Sequence, residues 1–146
     1  MMLTLGNLRK LAQKTHNREA DEIGLLLGML TRVKKEDDDV DWFYLQNLFS
    51  DSRPPVLYFL SGSRFYKVYT TRKVDEEEIC SHIISIDVDD IYSVQYSYYH
   101  ETKIKVTLMF RSSRWEDIVL ESEKDINDAY RQKYIDLINE FSHCLL

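Results

Sequence analysis

The stretch from Ile104 to Phe110 admits few folds. Ile104, Val106, Leu108 and Phe110 alternate with Lys103, Lys105 and Thr107. That period of two belongs to a strand with one buried face, and a helix cannot place those four residues on one side. The same alternation recurs upstream, where Cys80, His82, Ile84, Ile86 and Val88 interleave with Ser81, Ser85 and Asp87. Tyr92, Val94, Tyr96 and Tyr98 interleave with Ser93, Gln95 and Ser97. Val56 to Leu60 and Phe65 to Thr71 are rich in aromatic and β-branched residues, with Ser61-Gly62-Ser63 between them. Glycine supplies the positive φ of a tight turn, so this pair predicts a hairpin. Glu116 to Glu121 is a shorter last strand. Six strands at intervals of roughly 8–12 residues predict a sandwich or a partly open barrel.

A helix is predicted to cap that sheet. Asp125 suits an N-cap, since its carboxylate can accept an otherwise unpaired backbone N–H. Ile126, Tyr130, Tyr134, Leu137, Ile138 and Phe141 then form one stripe at spacings of three and four.

The first 50 residues read as helical. Leu5, Leu8, Leu11 and Ala12 predict a helix over residues 4–14, and Asn17 opens a second that runs to about Lys35. Its middle, Ile23 to Leu30, is apolar nearly all round, which predicts burial. Gly24 and Gly28 lie four apart and predict a close approach of this helix to the rest of the fold. After the acidic run Glu36 to Asp41, Asp41 is read as the cap of a short third helix, Trp42 to Phe49. Pro54-Pro55 stops it. The division expected is therefore a helical region, 1–52, followed by a β-rich domain, 53–146. The expected fold class is α+β: N-terminal helices, then a small antiparallel sheet or partly open barrel capped by a C-terminal helix. At 146 residues, one such unit can bury roughly two thirds of the surface its unfolded chain exposes.

Charge narrows the function classes. The net charge is −6, and acidic residues outnumber basic ones in 1–55, 56–120 and 121–146 alike. Phosphate contacts dominate nucleic-acid affinity, so nucleic-acid binding is not expected, and anionic membrane surfaces are disfavoured for the same reason. The longest apolar run, Ile23 to Leu30, is far short of the roughly 20 residues a membrane span requires. Two cysteines, Cys80 and Cys144, and no basic-then-apolar leader fit a soluble cytoplasmic protein with reduced thiols.

Motifs for chemistry are sparse. Cys80 and His82 share a strand face and His143-Cys144 end the chain's last helix, but their spacing matches no zinc module. Asp37, Asp39 and Asp41 open like a calcium loop, yet Trp42 stands where the loop requires glycine and Leu48 where it requires glutamate. Ser61-Gly62-Ser63 lacks the pattern of a nucleophile elbow, and the four glycines form no phosphate loop. No catalytic residue, metal ligand or cofactor site is expected. The candidate ligand residues are basic: Arg64 and Lys67 on the first hairpin, with Lys103, Lys105 and Arg111 on a later strand. A solvated sheet face with edge lysines accounts for the same residues.

Two segments carry a resemblance. Leu57 to Val68, reading Leu-Tyr-Phe-Leu-Ser-Gly-Ser-Arg-Phe-Tyr-Lys-Val, resembles the first hairpin of bacterial pleckstrin-homology-like and GRAM-like domains. Ile86 to Val94 resembles their next signature, an Asp-Ile step with an apolar residue three on. The resemblance covers about residues 56–142. The first 50 residues have no counterpart in a minimal domain of that group, and the turn lacks the basic loop of its phosphoinositide binders. The resemblance implies a fold that serves lipids, peptides and proteins alike, so it fixes no function. The function expected is a non-enzymatic module for an unidentified protein or peptide, a second copy of the chain included. The alternative is a binder of a small anionic ligand or lipid head group through the basic strand face. An enzyme with a dispersed site is the third reading.

Overall fold

The computed structural model describes Gly6 and residues 18–33, 40–47, 53–72, 79–100, 103–122 and 131–145. Seven strands lie among them. A first antiparallel sheet has the order β1 (Trp42–Gln46), β2 (Val56–Ser61), β3 (Arg64–Arg72), β4 (Ile79–Asp87). A second has the order β5 (Ile91–His100), β6 (Lys103–Phe110), β7 (Ile118–Glu121). A single 3₁₀ turn, Val88–Asp90, joins the two, and Asp87 caps it by accepting a hydrogen bond from the Asp89 amide. Helix α1 (Arg18–Val33) precedes the strands and helix α2 (Arg131–Leu145) follows them. The architecture is α+β, with antiparallel sheets and a C-terminal helix.

The predicted hairpin is formed as β2–β3. Ser61 pairs with Arg64 across a two-residue turn, and Gly62 takes φ 59° there, a conformation glycine adopts without strain.

One expected helix is a strand. Trp42 to Phe49 was expected to be helical, but Trp42–Gln46 is β1 and pairs antiparallel with β2 from Trp42↔Leu60 to Gln46↔Val56. Tertiary pairing overrides the local signal because it buries Trp42, Tyr44 and Leu45 almost completely. Asp41 accordingly caps no helix. Its amide donates to the Leu60 carbonyl at 2.9 Å, and its carboxylate accepts from the Gly62 amide at 2.9 Å. Pro54-Pro55 falls in the connection between β1 and β2, so the chain joins two paired strands where the division at 52/53 is expected. The helix expected over 4–14 lies outside the described residues, apart from Gly6, which is helical.

The core has two levels. Between the sheets, Phe65 meets Phe110 and Phe141, and Trp42 sets its ring edge-on to Phe141 with centroids 4.7 Å apart. The Trp42 indole N–H donates to the Leu137 carbonyl at 2.6 Å and ties α2 to β1. On the other face of the first sheet Phe59 stacks on Tyr66, and α1 packs over β3 and β4 with Ile23, Leu26, Leu27 and Leu30 buried. The burial of α1 is a stripe, not a girdle, since Leu25 stays 38% exposed. Gly24 and Gly28 are also exposed, and a Cβ built on Gly28 meets nothing within 4 Å. Among the described residues, nothing makes the expected close approach at Gly28. In α2 the buried positions are Ile135, Ile138 and Phe141, of which Ile135 lies off the predicted stripe. The predicted cap Asp125, and Ile126 and Tyr130 of that stripe, lie outside the described residues.

Candidate functional site

The five expected basic residues are spread over both sheets. Arg64 is engaged within its own sheet, where Nε donates to Ser85 Oγ at 2.9 Å and Nη1 lies 3.8 Å from the Asp87 carboxylate. Lys67 faces inward on β3, with Nζ 5.3 Å from the Tyr69 ring centre. It lines a groove of about 430 Å³ with Tyr58, Ile84, Arg114 and Trp115. Lys103 and Lys105 come together on the outer face of β6. Their ammonium groups sit 4.8 Å and 5.7 Å from the Tyr99 ring centre, and Lys103 is 3.8 Å from the Glu121 carboxylate. Arg111 is exposed beyond β6, and its amide donates to the Asp90 carbonyl. Arg64 and Lys67 occupy one sheet, and Lys103 and Lys105 the other.

The two Cys–His pairs are also apart. His82 Nε2 lies 2.8 Å from the Thr71 hydroxyl and its ring stacks on Tyr69, near the Arg72↔Ile79 end of the first sheet. Cys144 Sγ lies 3.7 Å from the Asp41 carbonyl oxygen, near the Gly62 turn at the opposite end. Burial, then the negative charges of Asp41 and Glu140, push the Cys144 thiol above its ordinary pKa. Among the described residues no group of three or more His, Cys, Asp or Glu side chains is placed to hold a metal ion. Asp41, the described member of the Asp37-Asp39-Asp41 run, is committed to the turn.

The feature that stands out is the border of the first sheet. Four strands end the two sheets: β1, β4, β5 and β7. Three of these edges are blunted. β1 has five residues and β7 four, and the Gln46 side-chain amide bonds the Val119 carbonyl between them at 2.9 Å. β5 is longer, but its register with β6 breaks between Ile91 and Ser93 and again between Tyr98 and His100. The Tyr96 and Tyr98 hydroxyls reach from it to Ile138 and Asn139 of α2.

β4 has none of these protections. It runs nine residues in unbroken register with β3, from Arg64↔Asp87 to Arg72↔Ile79. It contains no proline, lysine or arginine, and its one carboxylate, Asp87, is at the end and already beside Arg64. Among the described residues its other side meets no strand. Ile79, Ile83 and Ile84 stay half-buried there, on both faces of a sheet whose strand β2 is buried on both faces. A groove of about 730 Å³ opens beside its first four residues, with Leu25, Met29 and Arg32 of α1 among its lining.

The strand itself is visible in the alternation from Cys80 to Val88. Its position at an edge is not, because edges are set by which strands pair. The only sequence trace is the lack of charge from Ile79 to Ile86. Comparison of the chain with protein-family models, with curated proteins and with solved structures finds no match.

Proposed function

We propose that this chain is a non-enzymatic interaction module of pleckstrin-homology-like architecture that takes up an extended polypeptide by strand addition along β4. The observation that carries the reading is the β4 edge: nine residues, regular, free of lysine and arginine and open on one side among the described residues. Such an edge offers a row of backbone donors and acceptors to an incoming strand. The half-buried isoleucines on its two faces supply apolar contacts for alternate side chains of that strand. Seven strands split four and three and followed by a helix support the architectural part, as do the hairpin and Asp-Ile segments from which the resemblance was drawn. Free Cys80 and Cys144 suit a reducing, cytoplasmic setting.

The test is selection from a library of displayed extended peptides, followed by amide hydrogen exchange of the bound form. Protection concentrated on β4 supports the reading. Absence of any binder, or binders that leave β4 exchange unchanged, overturns it.

One observation favours a second reading. Lys103, Lys105 and the face of Tyr99 converge on a sheet surface that no described helix or strand covers, a disposition suited to a small anionic ligand or lipid head group. Charge reversal at Lys103 and Lys105 abolishes binding to anionic vesicles if this reading holds. Unchanged binding removes it.

A further inference from the structure

We infer that the groove between the two sheets, lined by Lys67 and Arg114, binds a small organic monocarboxylate with a flat apolar body. The inference is independent of both readings above. Lys67 lies on β3, one strand in from the β4 edge, and the groove is lined by neither Lys103 nor Lys105.

Register puts a lysine where the sheet otherwise places its core. On β3, Phe65 and Lys67 share a face, and Phe65 meets Phe110 and Phe141 between the sheets. The cross-strand neighbours of Lys67 are Tyr58, which is buried, and Ile84, which is half-buried. A charged group in such a setting costs free energy unless an opposite charge meets it. Among the described residues Lys67 pairs with no carboxylate, and its Nζ has only the Tyr69 ring at 5.3 Å. Arg114 reaches the same groove from the connection between β6 and β7. It too has a ring in place of a carboxylate, with its guanidinium carbon 5.8 Å from the centre of Trp115.

The rest of the lining sets the class of ligand. The groove holds about 430 Å³, within the roughly 300–1,000 Å³ of small-molecule sites. Ile84 and Ile86 of the first sheet, Phe110 and Ile118 of the second, and half-buried Trp115 supply apolar surface for a flat body. Lys67 and Arg114 supply donors for one carboxylate. Glu116 and Asp117 also line the groove, but both are exposed, where water and salt screen them. Half-buried Lys67 is screened less. Two cations against two carboxylates leave the lining without net charge. That disfavours a phosphate monoester, with its charge of about −1.5 to −2, against a carboxylate with one.

The test is a titration of the full chain with hydrocinnamate, indoleacetate and isocaproate to millimolar concentration, followed by amide and indole NMR. The two indole signals separate a local effect from a global one, since Trp115 lines the groove and Trp42 is tied to Leu137. At least one acid is expected to move the Trp115 signal and the amides of Lys67 and Arg114, with the Trp42 signal unmoved. The uncharged amide of the tightest-binding acid is expected to bind more weakly by roughly tenfold or more. Lys67→Met keeps an unbranched side chain, and an unmoved Trp42 signal shows that its fold is intact; it is expected to lose affinity to the same extent. Arg114→Gln, at an exposed position, loses roughly threefold. No response to any of the three acids overturns the inference, as does an amide that binds as tightly as its acid, or full affinity in Lys67→Met. Phenyl phosphate binding more tightly than every acid overturns the assignment to monocarboxylates.

Discussion

The two sheets have similar strands and different surroundings. β2 is buried along nearly its whole length on both faces, in a sheet that α1 meets at β3 and β4 and α2 at β1. β6 alternates strictly between buried and half-exposed positions, because the described residues cover only its inner face. The sequences record the difference. Val-Leu-Tyr-Phe-Leu-Ser in β2 is a continuous apolar run, and Lys-Ile-Lys-Val-Thr-Leu-Met-Phe in β6 is an alternation. Helix α1 covers the β3–β4 part of the first sheet's other face. The lesson is that the cost of a substitution follows parity in the second sheet and not in the first.

Substitutions test that difference in order of expected size. Phe65→Ala removes the ring that meets both Phe110 and Phe141 between the sheets, and is expected to cost about 3–5 kcal/mol by urea unfolding. Leu26→Ala acts on the opposite face, where α1 covers the sheet. It is expected to cost about 2–5 kcal/mol, because Leu26 is fully buried. A loss below about 0.5 kcal/mol there would make α1 an appendage and the first sheet one-faced like the second. Gly62→Ala places a Cβ at φ 59° in the β2–β3 turn and is expected to lower stability by about 1–2 kcal/mol, read from the same unfolding curves. Gln95→Ala, on the outer face of β5, is expected to stay within about 0.5 kcal/mol of the parent, since that side chain faces solvent. A larger cost would reveal a cover on the second sheet.

The two thiols offer a kinetic comparison. Cys80 is exposed on β4, whereas Cys144 is half-buried on α2 with its thiol pushed up by burial and by Asp41 and Glu140. Since the thiolate is the nucleophile, alkylation near pH 8 is expected to label Cys80 first, with site assignment by mass spectrometry. Raising the pH narrows the gap. Labelling of Cys144 first would contradict the placement of α2 against Asp41.

Most of the β structure was legible because it is written in local alternation. β4, β5 and β6 follow from residues two apart, and β2 and β3 from aromatic and β-branched runs on either side of one glycine turn. β1 was not legible. An aspartate ahead of Trp-Phe-Tyr-Leu looks like a helix cap, and the same carboxylate that would accept a helix N–H accepts the Gly62 N–H instead. The chemistry is identical and only the partner, 21 residues away, decides. The small residues of α1 misled for a related reason. Gly24 and Gly28 allow a close approach, but allowing a contact does not supply one, and no described residue closes on Gly28. The basic residues were legible as a list and not as a surface, since their grouping depends on which sheet each strand joins. Lys103 and Lys105, two apart on one strand, were the exception. The β4 edge was hidden because an edge is defined by an absent neighbour.

The bond from the Trp42 indole to the Leu137 carbonyl gives the chain an optical gauge of its own. Trp42 is 3% exposed and held against Phe141, while Trp115, the second tryptophan, lies partly open beside Arg114. With Trp115→Phe as background, emission from the remaining indole reports one event, the seating of the terminal helix on the first strand. A red shift without loss of strand signal would register that helix lifting away while both sheets persist, and would give the lid of this fold a free energy separate from that of its walls.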